Sequence, residues 1–292
     1  MKNGITVLSL FDGISCGQVA LEKANIKIHK YYASEIDRSA IKVTLDNYPN
    51  TIQLGDVQNW KSWNIDWSEI DLLIGGSPCQ GFSFAGKKLN FNDERSKLFF
   101  EFSKILNHIK KNNTKVMFLL ENVKMKKEWQ NIITEYLGAE PIEINSKLVS
   151  PQNRPRLYWT NIENINTPAN KNLVFKDIIE NYDFDNHSKE FKEYNNFYVI
   201  PRAKDGELIN GSYNRIWKIE SYCGALSVCN IPKVGKIENG VLKYRKITLN
   251  EAIKMQNIPK NFFKNVDKNT ALKQLGNGWT VDVITHIFSF IQ

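Results

Sequence analysis

With 292 residues, 42% hydrophobic and 12% aromatic, the chain has enough apolar mass to bury a full core, which excludes wholesale disorder. No run approaches the roughly 20 apolar residues that cross a bilayer, and the first residues carry no secretory pattern. A soluble, cytoplasmic protein without a membrane partner is therefore expected. Lys and Arg number 39 against 31 Asp and Glu, a net +8 spread along the chain, which favours a polyanionic partner without locating its binding face.

In chain order, strands are predicted near Ile5–Phe11, Tyr31–Ile36, Thr51–Leu54, Asp71–Ile74 and Val116–Leu120. Amphipathic stretches separate them, the pattern of βαβ units and a parallel sheet. In a helix over Arg95–Lys110, Leu98, Phe102, Ile105, Leu106 and Ile109 share one face; Lys127–Leu137 forms another, stopped by Gly138. Ile142–Val149 and Leu157–Thr160 read as an antiparallel edge. From Asn161 to Tyr244 the helical period is lost, and short β-prone pieces (Phe197–Ile200, Arg215–Tyr222, Leu226–Cys229) alternate with Asn, Gly, Pro and Asp. Asn239-Gly240, between Lys233–Ile237 and Val241–Arg245, suits the type I′ turn of a hairpin. The helical period then returns, with Val281, Ile284, Phe288 and Ile291 on one face. The four cysteines (Cys16, Cys79, Cys223, Cys229) make no CxxC pair and the four histidines are scattered, so neither a metal site nor a disulfide framework is expected.

Ligands of an open α/β sheet bind beyond the carboxyl ends of its strands. Here those ends are followed by Phe11-Asp12-Gly13-Ile14-Ser15-Cys16-Gly17, Glu35-Ile36-Asp37, Asp56-Val57, Gly75-Gly76-Ser77-Pro78-Cys79-Gln80-Gly81 and Glu121-Asn122-Val123. The first loop lacks GxGxxG, which argues against a dinucleotide pyrophosphate. Glu35 suits a ribose-hydroxyl acceptor, or is a solvated strand-end acid; Asp56 accepts from an adenine amine, or caps the next helix. Together these sites imply a nucleoside ligand that does not demand phosphates. A free cysteine is ordinarily a small buried hydrophobe. Cys79, however, follows Pro78 among small residues, a setting that would expose the sulfur. A polar tail follows it, with Lys87, Lys88 and the stretch to Arg95, which is suited to act as a lid.

In this order, Phe-Asp-Gly-Ile-x-x-Gly, Pro-Cys-Gln, Glu-Asn-Val, Gln152-Asn153-Arg154-Pro155-Arg156 and Gly276-Asn277-Gly278 resemble the DNA (cytosine-5)-methyltransferases, over the whole chain except about Asn161–Lys243. In detail the motifs look closest to the de novo methyltransferase catalytic domain, whereas Gln80 and Asn277 resemble the bacterial enzymes, which suggests a compact microbial or phage relative. The resemblance implies a Rossmann-like S-adenosylmethionine-dependent methyltransferase sheet. Residues 1–160 and 245–292 would form the discontinuous catalytic domain, and 161–244 a β-rich or irregular target-recognition region. It further implies methyl transfer to C5 of cytosine in duplex DNA through a covalent bond from Cys79 to C6 of a flipped-out base. Glu121 would act at N3 and the exocyclic amine, Arg156 would hold O2, and Arg154 would support the same strand. The positions matching the cofactor pocket are Phe11, Asp12, Gly13, Ile14, Gly17, Glu35, Ile36, Asp56, Val57, Pro78, Leu98, Asn277, Gly278 and Trp279, with S-adenosylhomocysteine as product.

Candidates for touching double-stranded DNA are Gln80, Ser83, Lys87, Lys88, Asn214 and Arg215, though ordinary loop polarity and a solvated face explain such residues equally well. Two other functions compete. A tRNA cytosine-5 methyltransferase shares the Pro-Cys and Glu-Asn-Val chemistry, but its Cys-Phe-Thr signature is absent here. A non-catalytic DNA-binding relative has no need to keep Cys79, Glu121 and Arg156 together. The target site and the oligomeric state are not read from the sequence; a monomer is one of the open alternatives.

Overall fold

Strands β1 (Ile5–Leu10), β2 (Ile28–Ser34), β3 (Ile52–Gln53), β4 (Leu72–Gly75), β5 (Met117–Val123), β6 (Pro141–Asn145) and, after the short β7 (Gln152–Asn153), β8 (Pro155–Thr160) are the framework of the first half of the chain. All but β7 join one sheet in the order β3-β2-β1-β4-β5-β8-β6. The first five are parallel to their neighbours, and β8 runs antiparallel to β5. The order reverses between β1 and β4, so a crevice opens there beyond the carboxyl ends of the strands, as in Rossmann-like sheets. The computed structural model describes residues 3–78, 94–200, 203–204, 207–208, 215–227 and 231–291.

The central strands β1, β4 and β5 are covered on both faces, which is why they read as near-continuous apolar runs rather than alternating. On one face Leu8, Leu10, Leu73, Phe118, Leu120, Leu157 and Trp159 pack with Phe99, Phe102, Ile105, Leu106 and Ile109 of helix α3 (Glu94–Asn112). Helix α4 (Lys127–Leu137) adds Ile133 and Leu137 to that core and ends at Gly138, whose φ of 69° suits glycine at a helix C-terminus. The alternate residues Val7, Ile74 and Leu119 are also buried. Helix α1 (Cys16–Lys23) packs on their side, since a Cβ added at Gly17 would meet Ile74 Cδ1 at 2.4 Å. Helix α2 (Arg38–Asn47) is capped by Asp37, which accepts from the Ser39 and Ala40 amides. Several boundaries differ from expectation by a few residues, β2 among them, and two of the differences bear on the site. β5 runs on to Val123, so Glu121 lies within the strand rather than after it. The strand expected to reach Val149 stops at Asn145, because that side chain accepts from the Lys147 amide and turns the chain into a 3-10 turn, Ser146–Leu148.

The chain forms two compact units, Met1–Ile144 with Pro155–Thr167 and Val283–Gln292, and Asn145–Arg154 with Pro168–Asp282. Gln152–Arg154 and Gly276–Gly278 thus belong to the same unit as the β-rich insertion. In that second unit a six-stranded sheet runs through Lys192–Glu193, Phe197–Val199, Arg215–Lys218, Lys233–Glu238, Val241–Lys246 and Asn186–Ser188 in spatial order. The predicted hairpin is there: Asn239 and Gly240 have φ of 50° and 75°, both left-handed as a type I′ turn requires. Helix α5 (Leu249–Met255) begins with a reciprocal cap, in which Thr248 Oγ1 accepts from the Glu251 amide and Glu251 accepts from the Thr248 amide. Helix α6 (Lys268–Asn277) is capped by Asp267, and α7 (Val281–Phe288) follows with Val281, Ile284 and Phe288 fully buried. Among the described residues no helix is long and apolar enough to cross a membrane.

Candidate active site

The loop after β1 is built from left-handed backbone. Phe11, Gly13 and Ser15 have φ of 57°, 59° and 61°. For a bulky residue such as Phe11 this costs on the order of 1–2 kcal/mol. The surroundings enforce it: Gly13 N–H donates to Glu35 Oε2 at 2.8 Å, and its carbonyl accepts from Thr44 Oγ1 at 3.2 Å. Glu35 Oε1 also accepts from the amides of Ile36 (2.7 Å) and Asp37 (2.8 Å), so one carboxylate ties the loop to the start of α2. Ile36 beside it is 72% exposed, an apolar side chain offered to whatever meets this end of the sheet. Phe11 and Leu98 pack only partly on the core, whereas Ile14 and Val57 are buried. Asp56 accepts from the Gln58 amide at 2.9 Å and so caps the 3-10 turn Val57–Ser62, the structural role its position allowed.

Asp12 is the least settled group of this loop. Tyr31 Oη donates to its Oδ1 at 2.8 Å, while its Oδ2 is buried and has no hydrogen-bond partner. Burial pushes the Asp12 carboxyl up to about 6, against the Tyr31 hydrogen bond and the nearby Ser9 and Ser15 hydroxyls, which favour its charged form. Burial also drives the Tyr31 phenol well above its usual range, so it remains a donor. Gly17 makes this contact possible, since a Cβ there would lie 2.8 Å from Tyr31 Oη.

On the far side of β4, β5 and β8 bring two charged groups together. Arg156 Nε lies 2.9 Å from Glu121 Oε1, with both side chains largely buried, and Arg156 Nη1 donates to the Pro155 carbonyl at 2.9 Å. Glu121 is followed by the buried Asn122, whose Nδ2 reaches Ser77 Oγ at 3.2 Å and the Ser77 carbonyl at 3.4 Å. Asn122 Oδ1 in turn accepts from the Val123 amide. β4 ends at Gly75, paired with Leu120, and a Cβ at Gly75 would lie 2.9 Å from the Leu10 carbonyl. The chain therefore leaves β4 alongside Glu121 and is held at Ser77, one residue before Pro78. Asn122 and Tyr31 were not assigned roles by sequence; Asn122 stood inside a motif read for its glutamate, and Tyr31 was hidden in an apolar strand.

Cys79, Gln80, Ser83, Lys87, Lys88 and Asn214 lie outside the described residues. Arg215 is exposed, with its guanidinium 4.9 Å from the Phe197 ring centre; Phe197 in turn stacks with Tyr194 at 5.0 Å. Asn277 is exposed, and Gly278 and Trp279 are half-buried. Arg154 is buried in the second unit, where its guanidinium donates to the carbonyls of Leu226, Gly276 and Gly278. Cys16 and Cys223 are buried, and burial pushes the Cys223 thiol far up. Among the described residues no group of His, Cys, Asp and Glu is arranged to hold a metal ion.

A family model described as C-5 cytosine-specific DNA methylase matches residues 5–292. Type II methyltransferase M1.ScrFI of Lactococcus lactis subsp. cremoris is 31% identical over 308 aligned residues, covering 95% of this chain and 75% of that protein. Type II methyltransferase M.NlaX of Neisseria lactamica is 29% identical, covering 96% of this chain and 94% of its own length. Among solved structures, the S. pombe Dnmt2 methyltransferase superposes with a TM-score of 0.66 at 17% identity, covering 98% of this chain and 97% of that one. The Entamoeba histolytica methyltransferase EhMeth gives 0.66 at 17%, covering 99% and 98%. At such identities the structural likeness speaks for a common fold.

Proposed function

The chain belongs to the C-5 cytosine-specific DNA methylase family and is a DNA cytosine-5 methyltransferase, and from that premise we propose that Cys79 is its nucleophile, acting beside Glu121 and Arg156. The observation that carries this reading is the Glu121–Arg156 pair at 2.9 Å, next to the strand that leads through Ser77 and Pro78 to Cys79. C5 of cytosine is a poor nucleophile until a bond forms at C6. The Cys79 thiolate adds to C6, the electron pair of the broken C5=C6 bond forms a C4=C5 enamine as N3 takes a proton from Glu121, and C5 becomes the nucleophile. Arg156 holds O2 and stabilises the charge that gathers there. Loss of the C5 proton after methylation, with expulsion of the thiolate, restores the enzyme. Because a stacked base cannot present C6 to a thiol, the cytosine is swung out of the duplex.

The methyl donor in this reading is S-adenosylmethionine, which when bound supplies the electrophilic methyl and leaves as S-adenosylhomocysteine. The residues fit such a group. Asp12 Oδ2 is a buried acceptor without a donor, suited to a ligand cation, and Glu35 retains acceptor capacity for ribose hydroxyls beside the exposed Ile36. We assign the cofactor to Phe11, Asp12, Gly13, Ile14, Gly17, Glu35, Ile36, Asp56, Val57, Pro78 and Leu98, with Val57 acting through its backbone because its side chain is buried. The family resemblance also assigns a cofactor-binding role to Asn277, Gly278 and Trp279.

Residues 1–160 and 245–292 are read as catalytic and 161–244 as target-recognising. Arg215, held on Phe197, is offered to a base edge or phosphate. The reading places the protein in the cytoplasm of a bacterial or phage-infected cell. Transfer of label from S-adenosylmethionine to duplex DNA, compared with transfer to tRNA, tests it. Transfer to duplex DNA, with the site mapped by bisulfite sequencing, is expected; label in tRNA alone contradicts it.

A further inference from the structure

Gln152–Arg154 holds two segments of the second unit at once. On one side, β7 pairs in parallel with Cys223–Gly224 of the insertion, and the Cys223 amide donates to the Pro151 carbonyl at 2.7 Å. Only glycine fits at Gly224, because a Cβ there would lie 2.7 Å from the Trp217 ring. On the other side, Gln152 Nε2 donates to the Met255 carbonyl (2.6 Å) and Gln256 Oε1 (3.0 Å), and Gln256 Nε2 donates to the Leu275 carbonyl (2.6 Å) at the end of α6. Thr280 Oγ1 donates to Gln256 Oε1 at 3.0 Å. All of these polar groups are buried, where a lost partner is costly.

Arg154 spans both sides with one side chain. Its Nη1 donates to the Leu226 carbonyl at 2.6 Å, and its Nη2 to the carbonyls of Gly276 (3.1 Å) and Gly278 (2.9 Å). Gly276 and Gly278 stand at the C-terminal end of α6, where carbonyls lack helical partners and a cation is favoured. Its own backbone is fixed by Asn145 Oδ1, which accepts from the Arg154 amide at 3.0 Å. A planar guanidinium with rigidly spaced donors can meet carbonyls on two segments; the point charge of a lysine cannot keep the same fork.

We propose that Arg154 is a positioning residue that couples DNA binding at the insertion to cofactor binding at Asn277–Trp279, through its simultaneous hold on Leu226 and on the end of α6. The inference rests on the assignment of target recognition to residues 161–244 and of Asn277–Trp279 to the cofactor. Any shift of Cys223–Leu226 on binding DNA moves an acceptor held by the same guanidinium that holds Gly276 and Gly278. By linkage the effect is reciprocal, so each ligand raises the affinity for the other by the same factor.

The test measures the dissociation constant of S-adenosylhomocysteine by calorimetry, with and without a duplex carrying the mapped target site. In the wild type the duplex is expected to tighten S-adenosylhomocysteine about tenfold. In Arg154→Lys the ratio should fall to within about twofold, whatever happens to the separate affinities. Should Arg154→Lys not fold, hydrogen exchange of the wild-type protein decides: S-adenosylhomocysteine should slow exchange at Leu226–Ser227, and the duplex should slow it at Gly276–Gly278. A full tenfold ratio in Arg154→Lys, a ratio of one in the wild type, or unchanged exchange at either remote segment overturns the coupling. The same preparation is assayed for methyl transfer: transfer without coupling refutes this inference alone, whereas no transfer to any duplex refutes the functional reading beneath it.

Discussion

Arg156 Nε reaches Glu121 Oε1 at 2.9 Å although the two residues do not face each other across the strands: Arg156 pairs with Val123, and Glu121 with Tyr158. The ion pair is diagonal, between neighbours on the face of the sheet opposite the Phe99–Ile109 core. Only long side chains make such a contact, so it depends on the antiparallel register of β8 against β5.

Arg156→Lys keeps the charge but loses the planar fork, and Glu121→Gln keeps the hydrogen-bonding shape but gives up no proton. Each should lower kcat by about 10²–10³ while duplex affinity changes only a few-fold. Steady-state methylation and a binding titration separate the two quantities. Turnover near wild type in either variant contradicts the roles assigned to this pair.

Asp12 predicts a pH dependence of definite sign. Its carboxyl is raised from an ordinary 3.8 to about 6 by burial, so between those values the folded chain holds a proton that the unfolded chain has lost. Its contribution is therefore complete below about pH 4 and disappears as the pH rises through 6, with a size of about 3 kcal/mol. Urea unfolding of the wild type and Asp12→Asn at several pH values isolates it, because other carboxylates cancel in the difference. The wild type should lose stability relative to the variant from pH 4 to 6. Affinity for a cationic methyl donor should run the other way, strengthening up to pH 6 in the wild type but not in the variant. A flat difference in stability contradicts the buried carboxyl.

Glu251 is fully buried and accepts from both Arg245 Nη groups (2.7 and 2.8 Å), from the Thr248 amide and from the Glu180 amide. Burial alone would raise its carboxyl, but the Arg245 hydrogen bond and the two amides outweigh it and hold the group below its ordinary range. Glu251→Gln leaves the guanidinium buried without its counter-charge and should cost about 3–5 kcal/mol, measured by chemical denaturation. The wild-type advantage should fade as the pH drops through the carboxylate range. A loss below about 1 kcal/mol would contradict a buried pair held by its opposite charges.

Cys16 and Cys223 are 4% and 0% exposed, and burial raises the Cys223 thiol, so neither sulfur is offered to a reagent. Alkylation of the native protein followed by peptide mapping should leave both unlabelled until denaturant is added. Rapid native labelling of either one would remove the argument that their chemistry is silent.

Much of the first unit was legible because its central strands are buried on both faces and read as near-continuous apolar runs, with glycine and proline at their ends. Asn239-Gly240 likewise announced its hairpin through backbone conformation alone. What escaped was long-range. That Tyr31 serves Asp12, or that Asn122 holds Ser77, depends on which strands become neighbours, and no local spacing encodes that. Gln152 stood in a motif read for its arginines, and nothing local linked it to Gln256, 104 residues away. The strand boundary at Asn145 moved because a side-chain cap outweighed an apolar run that continued past it.

The most direct measurement uses duplex DNA with 5-fluorocytosine at the mapped target, incubated with the protein and S-adenosylmethionine. Fluorine at C5 cannot leave as a proton does, so the sulfur–C6 bond should persist through denaturation and map to Cys79 by mass spectrometry. Efficient methylation of ordinary cytosine with no such adduct, or an adduct on another residue, would contradict the mechanism.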